Sequence, residues 1–425
     1  MTLLHPKNLA LKQSIFTLIL VLGFAYMAVA GQVYAQDCQK QADTATKDDI
    51  SGRAFKDWIK SLRTEARGAG ISDRTLDSAL SDVSPVKRVI ELDRHQPEFT
   101  RTFHDYLRRR VNPERIKRGR AMLSKHRGLL EEIFHKYGVP PRYIIAFWGL
   151  ETNFGDHLGS FKVVDALVTL AYDQRRADFF RGQLLDALRI IEQGHIEPDE
   201  MTGSWAGAMG HMQFLPSTFT GHAVDYTGDG SKDIWNSLPD AFASAANFLS
   251  SSGWQPGQSW GRQVILPENF DFELASLQRK KTIEEWSKLG VRRTDGTALP
   301  QADMEASLIL PQGHKGPAFL VYKNFRVIMR WNRSVNYAIS VGHLADRIVG
   351  MPPIKFSRNA KHKTLSHNKL AEIQQLLNRL GFDAGPEDGL PGTRTSAAIR
   401  AFQKTQSLPQ DGYPSPLLLE CLRAQ

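Results

Sequence analysis

The stretch "PPRYIIAFWGLETNFG", Pro140 to Gly155, constrains the fold more than any other part of the chain. Pro141 suits the first turn of a helix, where a missing N–H costs nothing. Tyr143, Ile144, Ile145, Phe147, Trp148 and Leu150 then leave that helix no polar face. A helix that is apolar all round has to be enclosed by other elements, so the core is built about this segment. Yet the run closes on a carboxylate, Glu151. The C-terminus of a helix is the negative end of its dipole, and Phe147 and Trp148 lie one turn back on the same face, so dipole and desolvation both favour the protonated form. A carboxyl group kept protonated near neutral pH is what a general acid requires. The same side chain could equally reach water or cap the following "TNFGDH", and periodicity alone does not separate the two.

The surroundings read as mainly α. From about Asp49 to Val139 the apolar spacing is helical: "FKDWIKSLRTEA" puts Phe55, Trp58, Ile59, Leu62 and Ala66 on one face, and "RIKRGRAMLSKHRGLLEEIFHKYG" repeats the pattern up to Gly138. Between about Arg262 and Arg330 short apolar runs, "RQVILP", "ASLILP" and "FLVYKNFRVIMRW", are separated by Gly and Pro and predict a few strands around one short helix, "TIEEWSKLG". Helix resumes with "SVNYAISVGHLADRIVG", so the larger unit spans 49–350. Residues 351–368 are basic, Pro-containing and nearly aperiodic, as a linker is. Residues 369–425 form a small helical unit with two helical runs joined by "FDAGPEDGLPG".

Two further stretches carry chemistry. In "SWAGAMGHMQFLPSTF", Ser204 to Phe219, the small residues Gly207, Ala208 and Gly210 allow close backbone approach, and Gln213 sits between Met212 and Phe214 as an amide able to hold a sugar hydroxyl or acetamido group. In "DYTGDGSKDIWNSLPD", oxygen-bearing side chains stand at the first, third, fifth and ninth positions from Asp225, and Gly230 stands at the sixth. That is the calcium-loop pattern, departing from it at the twelfth position, where Asn236 replaces Glu. The loop reads either as a structural calcium site or as a pair of ordinary Asp-Gly turns.

The first 35 residues fit no fold. Lys7 and Lys12 precede an apolar run from Ile15 to Val29, and "VYA" ends at Ala35, the form of a cleaved signal peptide. The residues before Cys38 are not those of a lipoprotein signal, which leaves a soluble exported protein. Cleavage removes two lysines and no acids, so the net charge falls from +9 to +7. A basic exported chain suits an anionic polymer or a membrane surface, and neither its destination nor any motif suggests nucleic acid. Cys38 and Cys421 would be the two cysteines left after cleavage; no Cys/His cluster suggests zinc.

"YIIAFWGLETNFG" together with "GAMGHMQFLPSTF" resembles the membrane-bound lytic transglycosylase B family, glycoside hydrolase family 103, and the similarity continues through "DRHQPEFTRTFHDYL", "LAYDQRRADFF" and "RWNRSVNYAISV". The resemblance implies a lysozyme-like catalytic domain with a small strand-rich insertion, acting on peptidoglycan glycan strands and placing other cell-wall enzymes among its candidate partners. It makes Glu151 the single catalytic acid/base and places Ser204, Gln213, Asn332 and Tyr337 in the saccharide cleft. It also makes Asp225, Thr227, Asp229, Ser231 and Asp240 the candidate calcium ligands, with no cofactor required for the chemistry. The last segment resembles a helical peptidoglycan-binding domain through "EIQQLLNRLGF", Asp388, Gly389, Gly392, Thr395, Ala398, Phe402 and Gln403. The function implied is cleavage of the MurNAc-GlcNAc β-1,4 bond with 1,6-anhydromuramyl ends. A hydrolytic muramidase and a non-catalytic peptidoglycan-binding scaffold are the alternatives.

Overall fold

The computed structural model describes residues 52–94, 102–356, 365–390 and 392–425. The signal peptide, Cys38, part of "DRHQPEFTRTFHDYL" and the middle of the linker lie outside the described residues. Of the described residues, those up to Ile71 form one unit and those from Ser72 onward another. The first contains the helix Arg53–Gly68, whose buried positions Phe55, Leu62 and Ala66 match the predicted face.

In the second unit the helix Pro141–Glu151 is buried at every position from Tyr143 to Leu150. Helices Pro113–Lys125, Arg127–Tyr137, Leu238–Ser251 and Val335–Ile348 pack around it, as a helix without a polar face demands. The basic stretch before it is two helices, not one continuous run. The break falls at His126, whose ring meets the edges of Trp148 and Phe242, with centroids 5.8 Å away in each case. Gly138 ends the second with a φ of 72°, a conformation that suits glycine.

The strand-rich insertion holds an antiparallel sheet in the order Lys281–Thr282, Glu305–Ile309, Ala318–Val321, Gly261–Ile265, Arg292–Arg293. Its core gathers Val264, Ile283, Trp286, Leu308 and Leu320, and the Trp286 indole N–H donates to the Ala306 carbonyl at 3.0 Å. The predicted short helix is there, Ile283–Lys288, closed by a capping box between Thr282 and Glu285. The run "FLVYKNFRVIMRW" differs from expectation, because only Ala318–Val321 is strand and Lys323–Trp331 is helix. Phe325, Ile328 and Trp331 recur every three residues, a helical face hidden inside a run of β-formers.

The C-terminal segment has three helices, His367–Arg379, Thr393–Thr405 and Pro416–Arg423, where two were expected. Its core joins Ile373, Leu377, Ile399, Phe402, Leu418 and Leu422, with Cys421 packed alongside. Thr395 lies inside its helix, donates to the Ala384 carbonyl at 2.9 Å and accepts from the buried Gln374 amide. The segment is also docked on the insertion. Arg400 donates to the Phe272 and Ala275 carbonyls of the insertion at 3.1 and 2.7 Å, and Asp411 accepts the His314 N–H at 2.9 Å with the His314 ring at 2.6 Å.

Candidate active site

Glu151 is the last residue of its helix and half-buried. The turn immediately after it accounts for the sequence "GLETNFG". Asn153, Phe154 and Gly155 take positive φ values of 52°, 62° and 88°, a run of left-handed residues that is costly for the two carrying side chains. Packing offsets the strain. The Phe154 ring folds back beneath the helix, where a Cβ on Gly149 would lie 2.6 Å from its Cζ, so position 149 has room only for glycine. The ring stands edge-on to Trp148, centroids 5.6 Å apart, with the Arg118 guanidinium over it at 5.3 Å. The buried Thr152 hydroxyl lies 2.9 Å from the His211 carbonyl and accepts the Gly155 N–H at 3.1 Å, joining the helix end to the Gly-rich loop.

Two groups converge on one oxygen of Glu151. The Trp331 indole N–H donates to Oε1 at 3.0 Å, and the Tyr337 hydroxyl donates to the same atom. Trp331 lies over Phe147, centroids 4.4 Å apart, and against Phe214 and Phe248 at 5.2 and 5.0 Å. Burial, and after it the Glu151 charge, push the Tyr337 hydroxyl well above its ordinary pKa, so it stays protonated and remains a donor. Both donors come from the segment "RWNRSVNYAISV": Trp331 ends the helix Lys323–Trp331, and Tyr337 lies in the first turn of Val335–Ile348.

The other predicted cleft residues have defined places. Gln213, at a φ of 50°, uses its amide N–H group on the Leu158 and Gly210 carbonyls at 3.0 and 3.1 Å, so its Oε1 is the end available to accept from a ligand. The Ser204 hydroxyl oxygen accepts the Ala206 and Ala208 N–H groups at 3.3 and 3.1 Å, which shapes the Gly-rich turn. Asn332 is exposed beside Trp331, its Oδ1 accepting the Ser334 N–H at 3.0 Å. Trp331 is the Glu151 partner that pattern reading misses, because the run it closes reads as strand. Asp156, the nearest carboxylate in sequence, is turned into Arg118, with one bond of 2.6 Å and a second, shorter one, and accepts from Asn153 at 2.8 Å. The Arg118 bond holds the Asp156 carboxyl down at about 2, ionised and facing away from proton transfer.

The loop from Asp225 to Asp240 folds around two carboxylates. Asp225 accepts the Gly228 and Gly230 N–H groups at 2.6 and 2.8 Å. Asp240, fully buried, takes the Tyr226 and Thr227 N–H groups on Oδ1 and the Asp233 N–H on Oδ2. Burial, with a smaller contribution from the Asp225 charge, pushes the Asp240 carboxyl up. Two mutually repelling carboxylates and the Thr227 hydroxyl, 3.3 Å from Asp225, are donors that suit a hard divalent cation, while Asp229 turns its carboxylate to the Ser231 N–H at 2.9 Å. The Ser231 hydroxyl departs from the expected set by donating to the His195 carbonyl at 3.3 Å. Among the described residues no three His, Cys, Asp or Glu side chains form a metal cluster on their own, so hydroxyl and backbone oxygens would have to complete any shell.

The family profile described as "Transglycosylase SLT domain" matches residues 54–346, the region that brings Glu151, Trp331 and Tyr337 together. The chain belongs to the transglycosylase SLT domain family. A second profile, "Putative peptidoglycan binding domain", matches residues 366–422. Membrane-bound lytic murein transglycosylase B of Escherichia coli is 30% identical over 249 residues, which are 57% of this chain and 66% of that protein. Among solved structures, SltB3 of Pseudomonas aeruginosa in complex with NAG-anhNAM-pentapeptide is 44% identical with a TM-score of 0.84, covering 88% of this chain and all of that one. The Escherichia coli lytic transglycosylase Slt35 in complex with calcium is 27% identical with a TM-score of 0.61, covering 71% and 94%. As a member of this family the protein is mainly helical and lysozyme-like, with a small sheet region and a C-terminal helical domain.

Proposed function

We propose that the protein is a lytic transglycosylase that cleaves the MurNAc-GlcNAc β-1,4 bond of peptidoglycan and leaves 1,6-anhydromuramyl ends, with Glu151 as single acid and base. The observation that supports this best is the convergence of Trp331 and Tyr337 on Glu151 Oε1. An indole N–H can only donate, so the transferable proton belongs on the other oxygen, Oε2. That proton passes to the glycosidic oxygen as the bond to the muramyl C1 breaks. The carboxylate left behind is the form that two donors stabilise best. It then takes the proton from the muramyl C6 hydroxyl while that oxygen bonds to C1, closing the anhydro ring without water. Glycosidases that use water need a second carboxylate, and Asp156, held by Arg118, is not placed to be one.

Gln213 Oε1 would accept from a sugar hydroxyl or acetamido N–H, and Asn332 and Ser204 would line the same cleft. We assign the larger region, 49–350, to catalysis and the C-terminal helices to holding the wall polymer, raising the local concentration of bonds to cut. The N-terminal pattern supports a periplasmic location after cleavage of residues 1–35. Asp225, Asp229, Thr227 and Asp240 would hold a structural calcium ion that relieves repulsion between the carboxylates.

Glu151→Gln tests the chemistry. The variant should bind sacculi and unfold like the wild type but release no soluble muropeptides, whereas retained turnover would remove Glu151 from the mechanism. For calcium, a chelator should lower the melting temperature and added calcium restore it; an unchanged melting temperature with and without calcium would count against the site.

A further inference from the structure

The helix Lys323–Trp331 has a second working face. Trp331 turns inward to Glu151, while Arg326, Met329, Arg330 and, just past the helix end, Arg333 line an open cavity of about 360 Å³ whose far wall is Leu277 and Gln278 of the insertion. Three of these residues are arginines and none is an acid. The volume falls within the range of small-ligand sites, and the mixture of guanidinium groups with Met329 and Leu277 offers charge and apolar contact together.

Two of the guanidinium groups are held in place. Arg326 donates to the Ser307 hydroxyl at 2.7 Å and to the Leu277 carbonyl, which fixes the far wall, and Arg330 donates to the Ser252 carbonyl at 2.7 Å. Each of these contacts is with a neutral oxygen, so the positive charge is left uncompensated. Arg333 is exposed and, among the described residues, has neither hydrogen-bond nor ion-pair partner. It stands two residues beyond Trp331 in sequence, on the same segment that supplies the indole donor to Glu151.

We propose that this groove receives the carboxylate-bearing peptide stem of a muramyl residue on the bound glycan strand. The inference rests on the peptidoglycan reading above and adds to it a substrate preference, for peptide-bearing over naked glycan. A stem peptide offers free carboxylates at its acidic residues and C-terminus, which match planar guanidinium groups, and short aliphatic side chains, which match Met329 and Leu277.

Binding can be measured apart from turnover, by calorimetry with NAG-anhNAM-pentapeptide and with the same disaccharide lacking peptide. The wild type should bind the peptide form at least about tenfold more tightly, an advantage that shrinks with added salt. Arg330→Gln with Arg333→Gln should remove that advantage and leave affinity for the peptide-free disaccharide unchanged. Equal affinity of the wild type for both ligands would overturn the proposal. So would an equal loss on both ligands in the variant, which would make the groove a sugar subsite or a structural element. Binding of neither ligand by the wild type would instead refute the peptidoglycan reading on which the proposal stands.

Discussion

Replacing Trp331 with phenylalanine removes one atom group that the account depends on, the indole N–H donated to Glu151 at 3.0 Å, while keeping a ring against Phe147, Phe214 and Phe248. A hydrogen bond to a charged group contributes about 1.5–3 kcal/mol, and each 1.4 kcal/mol is tenfold in rate. If that bond is strongest when Glu151 is a carboxylate, kcat should fall by roughly 10- to 100-fold. KM should stay nearly constant, because the indole N–H is directed at Glu151 and not at the sugar. Losing a donor to the charged form also makes ionisation harder, so the alkaline limb of the pH–rate profile, where Glu151 loses the proton it must donate, should move to higher pH. The assay is release of soluble muropeptides across a pH series, with urea unfolding as a check on packing. A variant with the wild-type kcat and the same alkaline limb would refute the reasoning. So would a change in KM alone.

Two other outcomes follow from the packing. Gly149→Ala puts a Cβ 2.6 Å from the Phe154 ring, which is buried and carries a positive φ, so overpacking of about 1–3 kcal/mol should exceed the helix-propensity gain of about 1 kcal/mol. Urea unfolding should show a net loss and turnover should fall further still; a stabilised, fully active variant would contradict the placement of Phe154. Burial, aided by the Arg347 charge, holds His343 down at about 4, below its ordinary 6.5. The unfolded chain therefore gains a proton that the folded one refuses as pH drops below 6.5, and stability should be lost down to about pH 4 and level off beneath it. His343→Leu should remove that slope from the difference between the two proteins, measured by urea unfolding at pH 7 and pH 4, and an unchanged slope would assign it to other groups.

The parts of the site that were legible in sequence were those carried by local pattern. An apolar run closing on Glu151 announced both the central helix and the odd position of its carboxylate. The family resemblance singled out Tyr337 as a cleft residue; the residue is buried, and its hydroxyl donates to Glu151. What pattern could not give was direction. Trp331 lay in view within "RWNRSVNYAISV", but "FLVYKNFRVIMRW" looked like strand because Val, Ile, Phe and Tyr are β-formers, and the helical recurrence of Phe325, Ile328 and Trp331 was outweighed. The left-handed turn at Asn153 and Phe154 depends on a tertiary contact beneath Gly149, which no local propensity encodes. Docking of the C-terminal helices through Arg400 and Asp411 joins residues more than a hundred and twenty, and nearly a hundred, positions from their partners in sequence. A loop labelled calcium-like by spacing proved to be shaped first by its own backbone N–H groups, gathered by Asp225 and Asp240.

The central claim is that one carboxylate moves a proton twice and that the sugar, not water, supplies the attacking oxygen. Digestion of peptidoglycan sacculi in water labelled with heavy oxygen, followed by mass spectrometry of the released muropeptides, tests it directly. The account predicts muramyl ends one water lighter than reducing ends and free of the label. Reducing muramyl ends that carry one labelled oxygen at C1 would contradict it and require a second group to activate water.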